Sequence, residues 1–436
     1  MFIGYFTERP YQDRRAEWYQ RGEGVLDLEL SNEVYDPEIG ADLYNRYLDE
    51  KIYIETMGFD GVALNSHHST PFCMGGGAMN LEAAILARIT QKLKIVLIGN
   101  VLPIWDDPLW LVEELAAIDL ISRGRLVSGW VRGTGRESVA HNAQSPYNWE
   151  RYQEAHDFII KAWTEPGPFK WEGRHFNYRY VNPWMRPYQK PHPQIWIPGV
   201  LSKSTVAWAA ARRFPYVMLD SKLDLTARTF DYYREEADRN GFEAGSHHLG
   251  YMFKVHVDET EEKAYETGRK FIEGAGNLFL DGSRGVANPF AQNLPGINPR
   301  GNWLPTAEFF HVQESRGLAF APPTAVGQGN VELEAPPTPA EHEARRKAIF
   351  DGLLENFSII VGTPESVLPK IRHVLETVRA GNIIFWDGDG DMTHEDTMRG
   401  IRLMGEKVLP AVREMGRELE LNSAFEVSPY TNERVA

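Results

Sequence analysis

Leu93-Lys94-Ile95-Val96-Leu97-Ile98 is a nearly unbroken apolar run. A strand with only one buried face alternates apolar and polar residues; a strand covered on both faces does not need to. The run therefore reads as a parallel strand with helices packed over it. Similar short β-rich runs recur along the chain, at about 2–6, 60–65, 94–99, 126–131, 194–198, 216–220, 250–257 and 382–386. Helical periodicity fills the spaces between them, near 41–57, 78–91, 107–122, 148–164, 203–213, 224–240, 259–274, 364–378 and 395–416. Eight strand–helix units in series predict a (β/α)8 TIM barrel. A Rossmann-like open sheet is the alternative, and the absence of Gly-x-Gly-x-x-Gly after the first strand counts against it.

Two segments interrupt the rhythm. Residues 168–193 carry Trp171, Phe176, Tyr178, Tyr180, Trp184 and Tyr188 among several prolines, and read as a small hairpin and loop. Their aromatics suit either an apolar substrate or a core beneath a loop. Residues 275–340 are rich in Gly, Pro and Asn with little periodicity. They are expected to follow the seventh strand as a long insertion over the barrel mouth. Residues 1–436 otherwise read as one domain.

Composition narrows the function. The net charge of −15 opposes a nucleic-acid partner, which needs a basic face to neutralise phosphates. Cys73 is the single cysteine, so an intrachain disulfide and a thiolate zinc site are both excluded. No run is long and apolar enough to span a membrane, and the N-terminus lacks the pattern of a secretory signal. A cytoplasmic protein is the expectation.

Chemistry concentrates at strand ends. The second strand leads through Asn65 and Ser66 to His67-His68. Imidazole suits proton transfer near neutral pH, and barrel enzymes place such groups at the C-terminal tips of strands. At the end of the third strand, Ile98-Gly99-Asn100 removes a side chain where a flat ligand could approach the backbone. The fourth strand delivers Arg132 into the glycine-rich run Arg132-Gly133-Thr134-Gly135, an anion-binding pattern without a Walker signature. After the fifth strand, Ser202 reads as a helix N-cap, with Thr205 in the first turn. Either feature alone is ordinary; together with Arg132 they point to a phosphate-bearing cofactor on a helix N-terminus. Gly362-Thr363-Pro364-Glu365 reads as a structural helix start. The acidic turn Asp387-Gly388-Asp389-Gly390-Asp391 lacks the terminal bidentate glutamate of a calcium loop, so no metal is expected there.

These residues together resemble the bacterial luciferase-like family of flavin-dependent monooxygenases, over about 1–265 and 355–415. The specific pieces are Gly58-Phe59-Asp60 leading to His67-His68, Leu120-Ile121-Ser122-Arg123-Gly124-Arg125, the start of the helix from Ser202 to Trp208, and Val361-Gly362-Thr363-Pro364-Glu365 through Val408-Leu409-Pro410. The resemblance implies a barrel that uses reduced flavin mononucleotide (FMN) and O2 to oxygenate a small apolar or aromatic organic molecule through a C4a-peroxyflavin. The reduced flavin would come from a separate NAD(P)H:flavin reductase. By the same resemblance His67 is catalytic with His68 beside it; Arg132, Arg151, Ser202 and Thr205 contact the flavin phosphate, and Leu201 also binds the cofactor; Ile98, Gly99 and Asn100 line the flavin, with a non-prolyl cis peptide at the Ile98–Gly99 or Gly99–Asn100 bond; and the protein is a homodimer. Ser66 stands where many members carry Glu, and Val131 where luciferase has a reactive cysteine. These departures, with the 275–340 insertion, argue against an aldehyde substrate and light emission. A deazaflavin-dependent oxidoreductase and a non-catalytic flavin-binding homologue are the competing readings.

Overall fold

In the computed structural model, residues 1–16, 31–133, 135–200, 202–272 and 339–435 are described. Eight parallel strands close on themselves: β1 (Phe2–Phe6), β2 (Gly61–Leu64), β3 (Lys94–Leu97), β4 (Leu126–Val131), β5 (Gln194–Gly199), β6 (Tyr216–Leu219), β7 (Leu249–Val257) and β8 (Asn382–Trp386). Closure is direct. β8 pairs with β7 through Gly250↔Asn382 and with β1 through Phe2↔Asn382. The strands stand in chain order around the barrel, and each lies within a residue or two of its predicted place. Two short strands extend the sheet: Asn100–Val101 pairs with β4, and Ile359–Gly362 runs along the end of β7.

The apolar runs are explained by burial on both faces. Ile3, Tyr5, Val62, Leu64, Ile95, Leu97, Tyr251 and Phe385 pack outward into the helical layer. Phe2, Phe6, Ala63, Val96, Val127, Trp196, Val217, Met252, Ile384 and Trp386 fill the interior in alternation with them. The outer helices are α1 (Pro37–Thr56), α2 (Met79–Ile89), α3 (Pro108–Ser122), α4 (Gly135–Ala140), α5 (Asn148–Thr164), α6 (Lys203–Ala211), α7 (Leu223–Arg239), α8 (Glu261–Ile272), α9 (Pro339–Glu355), α10 (Pro364–Val378), α11 (His394–Leu403) and α12 (Leu409–Glu418). Thr363 caps α10 as expected, accepting from the Ser366 N–H. The helix predicted over 395–416 is instead α11 and α12 joined by a π-helical turn, Met404–Val408. Pro410 lacks the N–H that would continue the ladder, and the turn absorbs the mismatch.

The predicted hairpin forms from Phe169–Glu172 and Asn177–Val181. Tyr178 stacks on Phe158 of α5, Trp171 meets the same ring edge-on, and Phe176 is buried. These aromatics thus build core between hairpin and α5. Residues 273–338 fall between β7 and β8 in the chain; the expected lid lies outside the described residues. The C-terminal segment plugs the bottom of the barrel, where Phe425 packs against Phe2 and Trp196. None of the helices in the described residues is long and apolar enough to cross a membrane.

Candidate active site

The C-terminal tips of the strands gather the polar residues. Beyond β1, Arg9 is buried and donates to the Asn65 carbonyl at 2.8 Å and to Asn65 Oδ1 at 2.6 Å, while also pairing with Glu82. This anchors the loop that carries His67 and His68. Glu8, buried beside it, accepts from Asn65 Nδ2. Burial holds the Glu8 carboxyl above its ordinary range, against the pull of nearby His67. Asp389, past the end of β8, accepts from the Glu8 N–H at 2.8 Å and from Thr7 and Trp386. Burial, with Glu8 alongside, pushes its carboxyl up to about 7.

The two histidines differ. His67 Nδ1 lies 2.8 Å from Oε1 of Glu137 on α4. His68 Nε2 lies 3.2 Å from the Ser66 hydroxyl, and its ring meets His141 edge-on. Burial, with His141 next in effect, lowers His68 to about 4, so it is neutral near pH 7. Glu137 was not singled out from the sequence, because it sits in a six-residue helix too short to show periodicity. Gly133, with φ +79°, makes the turn into that helix, and Asn148 Nδ2 donates to the Ser138 hydroxyl to hold it. Beside His68, a cleft of about 540 Å³ opens between α2 and α3, lined among others by Asn100, Trp105, Met79 and His141.

The Ile98–Gly99 peptide is cis, at one of the two expected positions. A Cβ on Gly99 would lie 2.3 Å from the Gly129 carbonyl oxygen, and one on Gly129 would lie 1.7 Å from that of Leu97. Backbone packs on backbone here, with no room for side chains.

Across the mouth, Arg132 lies largely buried at the end of β4 with its guanidinium over the Trp149 ring. Burial draws its pKa below the ordinary value, and Tyr152 and Tyr216 are the charge partners that oppose this. The Tyr216 hydroxyl and the Trp208 indole N–H are both buried with no hydrogen-bond partner. Ser202 occupies the N-cap of α6 with no side-chain cap bond; its hydroxyl instead accepts from Thr205 Oγ1 at 3.2 Å. The simple serine cap expected there is therefore not made. A buried guanidinium, an orphaned phenol and a helix start without a side-chain cap are a donor set suited to a phosphate. Tyr216 escaped sequence reasoning because a strand residue's face is settled only by barrel closure.

Two further residues carry the cofactor expectation. Arg151 donates to the Pro103 carbonyl at 2.8 Å and the Trp105 carbonyl at 3.1 Å, clamping the loop after β3. Leu201 lies outside the described residues. The carboxylates of the acidic turn are taken up separately, Asp387 by His256, Asp389 by Trp386 and Thr7, and Asp391 by Arg14.

Comparison with known proteins agrees with this architecture. The alkanal monooxygenase alpha chain of Photobacterium leiognathi is 26% identical over 261 residues, 57% of this chain and 72% of that one. The FMNH(2)-dependent dimethylsulfone monooxygenase of Pseudomonas putida is 28% identical over 312 residues, covering 67% and 80%. Among solved structures, the oxygenating constituent of 3,6-diketocamphane monooxygenase from Pseudomonas putida, in complex with FMN, superposes with a TM-score of 0.62 at 16% identity, covering 94% of this chain and 98% of that one. An F420-dependent secondary alcohol dehydrogenase shares the fold with a TM-score of 0.59 at 16% identity, covering 94% and 99%. The luciferase-like monooxygenase model matches residues 38–380, and the chain belongs to that family.

Proposed function

We propose that this protein is a two-component monooxygenase that takes reduced FMN from a separate NAD(P)H-dependent reductase and oxygenates a small apolar or aromatic molecule. The observation that carries the reading is the donor set of Arg132, the unpartnered Tyr216 hydroxyl and the start of α6, groups whose chemistry suits a phosphate. Arg132, Ser202, Thr205 and Tyr216 would hold the flavin phosphate. Gly99 and Asn100 would leave room for the ring at the tip of β3. Bound reduced flavin supplies the electrons and reacts with dioxygen.

The chain's own residues do the rest. His67 stands at the mouth, partly exposed, and exchanges a proton with the reacting oxygen or substrate. His68, neutral near pH 7, lines the wall without adding charge. Phe6, Ile98 and Trp386 keep the floor apolar and exclude water. The single cysteine is buried, which suits a reducing cytoplasm. Leu81, Ile89, Trp110, Leu120 and Ile121 are exposed on the adjacent helices α2 and α3. We infer a homodimer formed through this face.

The test is binding and turnover. Arg132→Ala should raise the dissociation constant for reduced FMN about tenfold to a hundredfold, the loss of one or two charge-assisted hydrogen bonds. Oxygen uptake should be coupled to product with reduced FMN. Hydride transfer to a deazaflavin, with no oxygen uptake, would replace this reading with the dehydrogenase one.

A further inference from the structure

His67 and Glu137 reach each other across the barrel mouth from β2 and α4, 70 residues apart in sequence. The carboxylate is 1% exposed and the imidazole 30%, so the acid is the buried partner and the ring the one that reaches solvent. A carboxylate can only accept, so the shared proton sits on Nδ1. In the neutral ring Nε2 then carries the lone pair. We propose that Glu137 is the positioning residue of the site: it fixes the tautomer and rotamer of His67, so that Nε2 is the nitrogen presented to the reacting atoms. The inference rests on the reading of His67 given above.

The surroundings of His67 are consistent with this division of work. Glu8 faces it from the loop after β1, but its carboxyl is engaged by Asn65. His68 on the same loop is turned to Ser66 and His141. Phe72 offers only its ring, 5.9 Å away. Lys254 acts on Glu8 from β7. Among the described residues, Glu137 is the carboxylate in hydrogen-bond contact with the imidazole. Its placement depends on the Gly133 turn and on the Asn148–Ser138 bond, which together aim a six-residue helix at the tip of β2.

The experiment is a histidine NMR titration of the flavin-free protein, with the His67 resonance assigned by its loss in His67→Asn. Removing the negative charge disfavours the imidazolium, so Glu137→Gln should move the His67 midpoint down by about one pH unit. The pH profile of product formation should move the same way, with kcat lowered about tenfold or more and flavin affinity altered less than twofold. Glu137→Asp keeps the charge on a shorter arm; its midpoint should move in the same direction by less, with part of kcat restored. Should Glu137→Gln fail to fold, the aspartate variant carries the test. An unchanged His67 midpoint in the folded variants overturns the proposal. Because that readout uses no flavin, it fails independently of the monooxygenase reading, which oxygen uptake decides.

Discussion

Gly99 and Gly129 approach across β3 and β4 so closely that each added Cβ would fall on a carbonyl oxygen. Backbone cannot yield as a flexible side chain can, so Gly99→Ala should destabilise the fold by about 1–3 kcal/mol, read as a lowered urea midpoint. An unchanged midpoint would show that the strands part freely there. Part of the candidate site is legible in the sequence. His67-His68 and Arg132 stand out at the ends of their strands, and Ser202 and Thr205 gain meaning from Arg132; strand ends follow from local pattern. Their partners were not legible. Glu137 is an ordinary acid in the run Arg136-Glu137-Ser138, and Tyr216 an ordinary strand aromatic; neither has a local signal for its neighbour. Arg151, which the resemblance marks as a phosphate contact, donates to the Pro103 and Trp105 carbonyls of the loop after β3.

At the scale of elements, the strands were read almost to the residue because burial on both faces leaves an apolar run that few helices imitate. Helix ends were read less well where a backbone irregularity intervened, as at the π turn before Pro410. The exposed face of α2 and α3 is an element-level feature. Trp110 and Ile121 are three turns apart on α3, and Leu81 lies on the neighbouring helix. Exposed large apolar side chains on two packed helices are costly in water and favour association. The double variant Trp110→Glu/Leu81→Glu should convert a dimer to a monomer of half the mass in light scattering. A wild-type monomer at micromolar concentration, or a variant that stays dimeric, would remove this face as the interface.

At the scale of the whole molecule, the C-terminal segment ties the bottom of the barrel together, and its lock is a neutral histidine. His248 Nδ1 accepts from the Gly245 N–H at 3.2 Å, and Nε2 donates to the Pro429 carbonyl at 2.9 Å. Protonation would set a second N–H against that of Gly245. Burial, with His247 adjacent, accordingly lowers His248 to about 4. An unfolded histidine takes up its proton near pH 6.5. Between about 6.5 and 4 the unfolded chain therefore binds more protons, and this contribution to stability is complete above 6.5 and lost as the pH falls. Asp389, raised to about 7, works in the opposite direction. The variant isolates the histidine: His248→Gln should narrow the difference in urea midpoint between pH 7 and pH 4.5, and an unaltered difference would contradict the assignment. The amino-acid sequence by itself determined the number, order and two-sided burial of the strands, and with them the barrel and the tips where chemistry must sit. Periodicity and propensity act over a dozen residues, which is enough for that. Only the tertiary structure decided that Glu137 stands behind His67, that Tyr216 lies near Arg132 with its hydroxyl unpartnered, and that Phe425 closes the barrel floor. Those pairings join residues far apart in the chain, and they exist only once closure has chosen which way each side chain points.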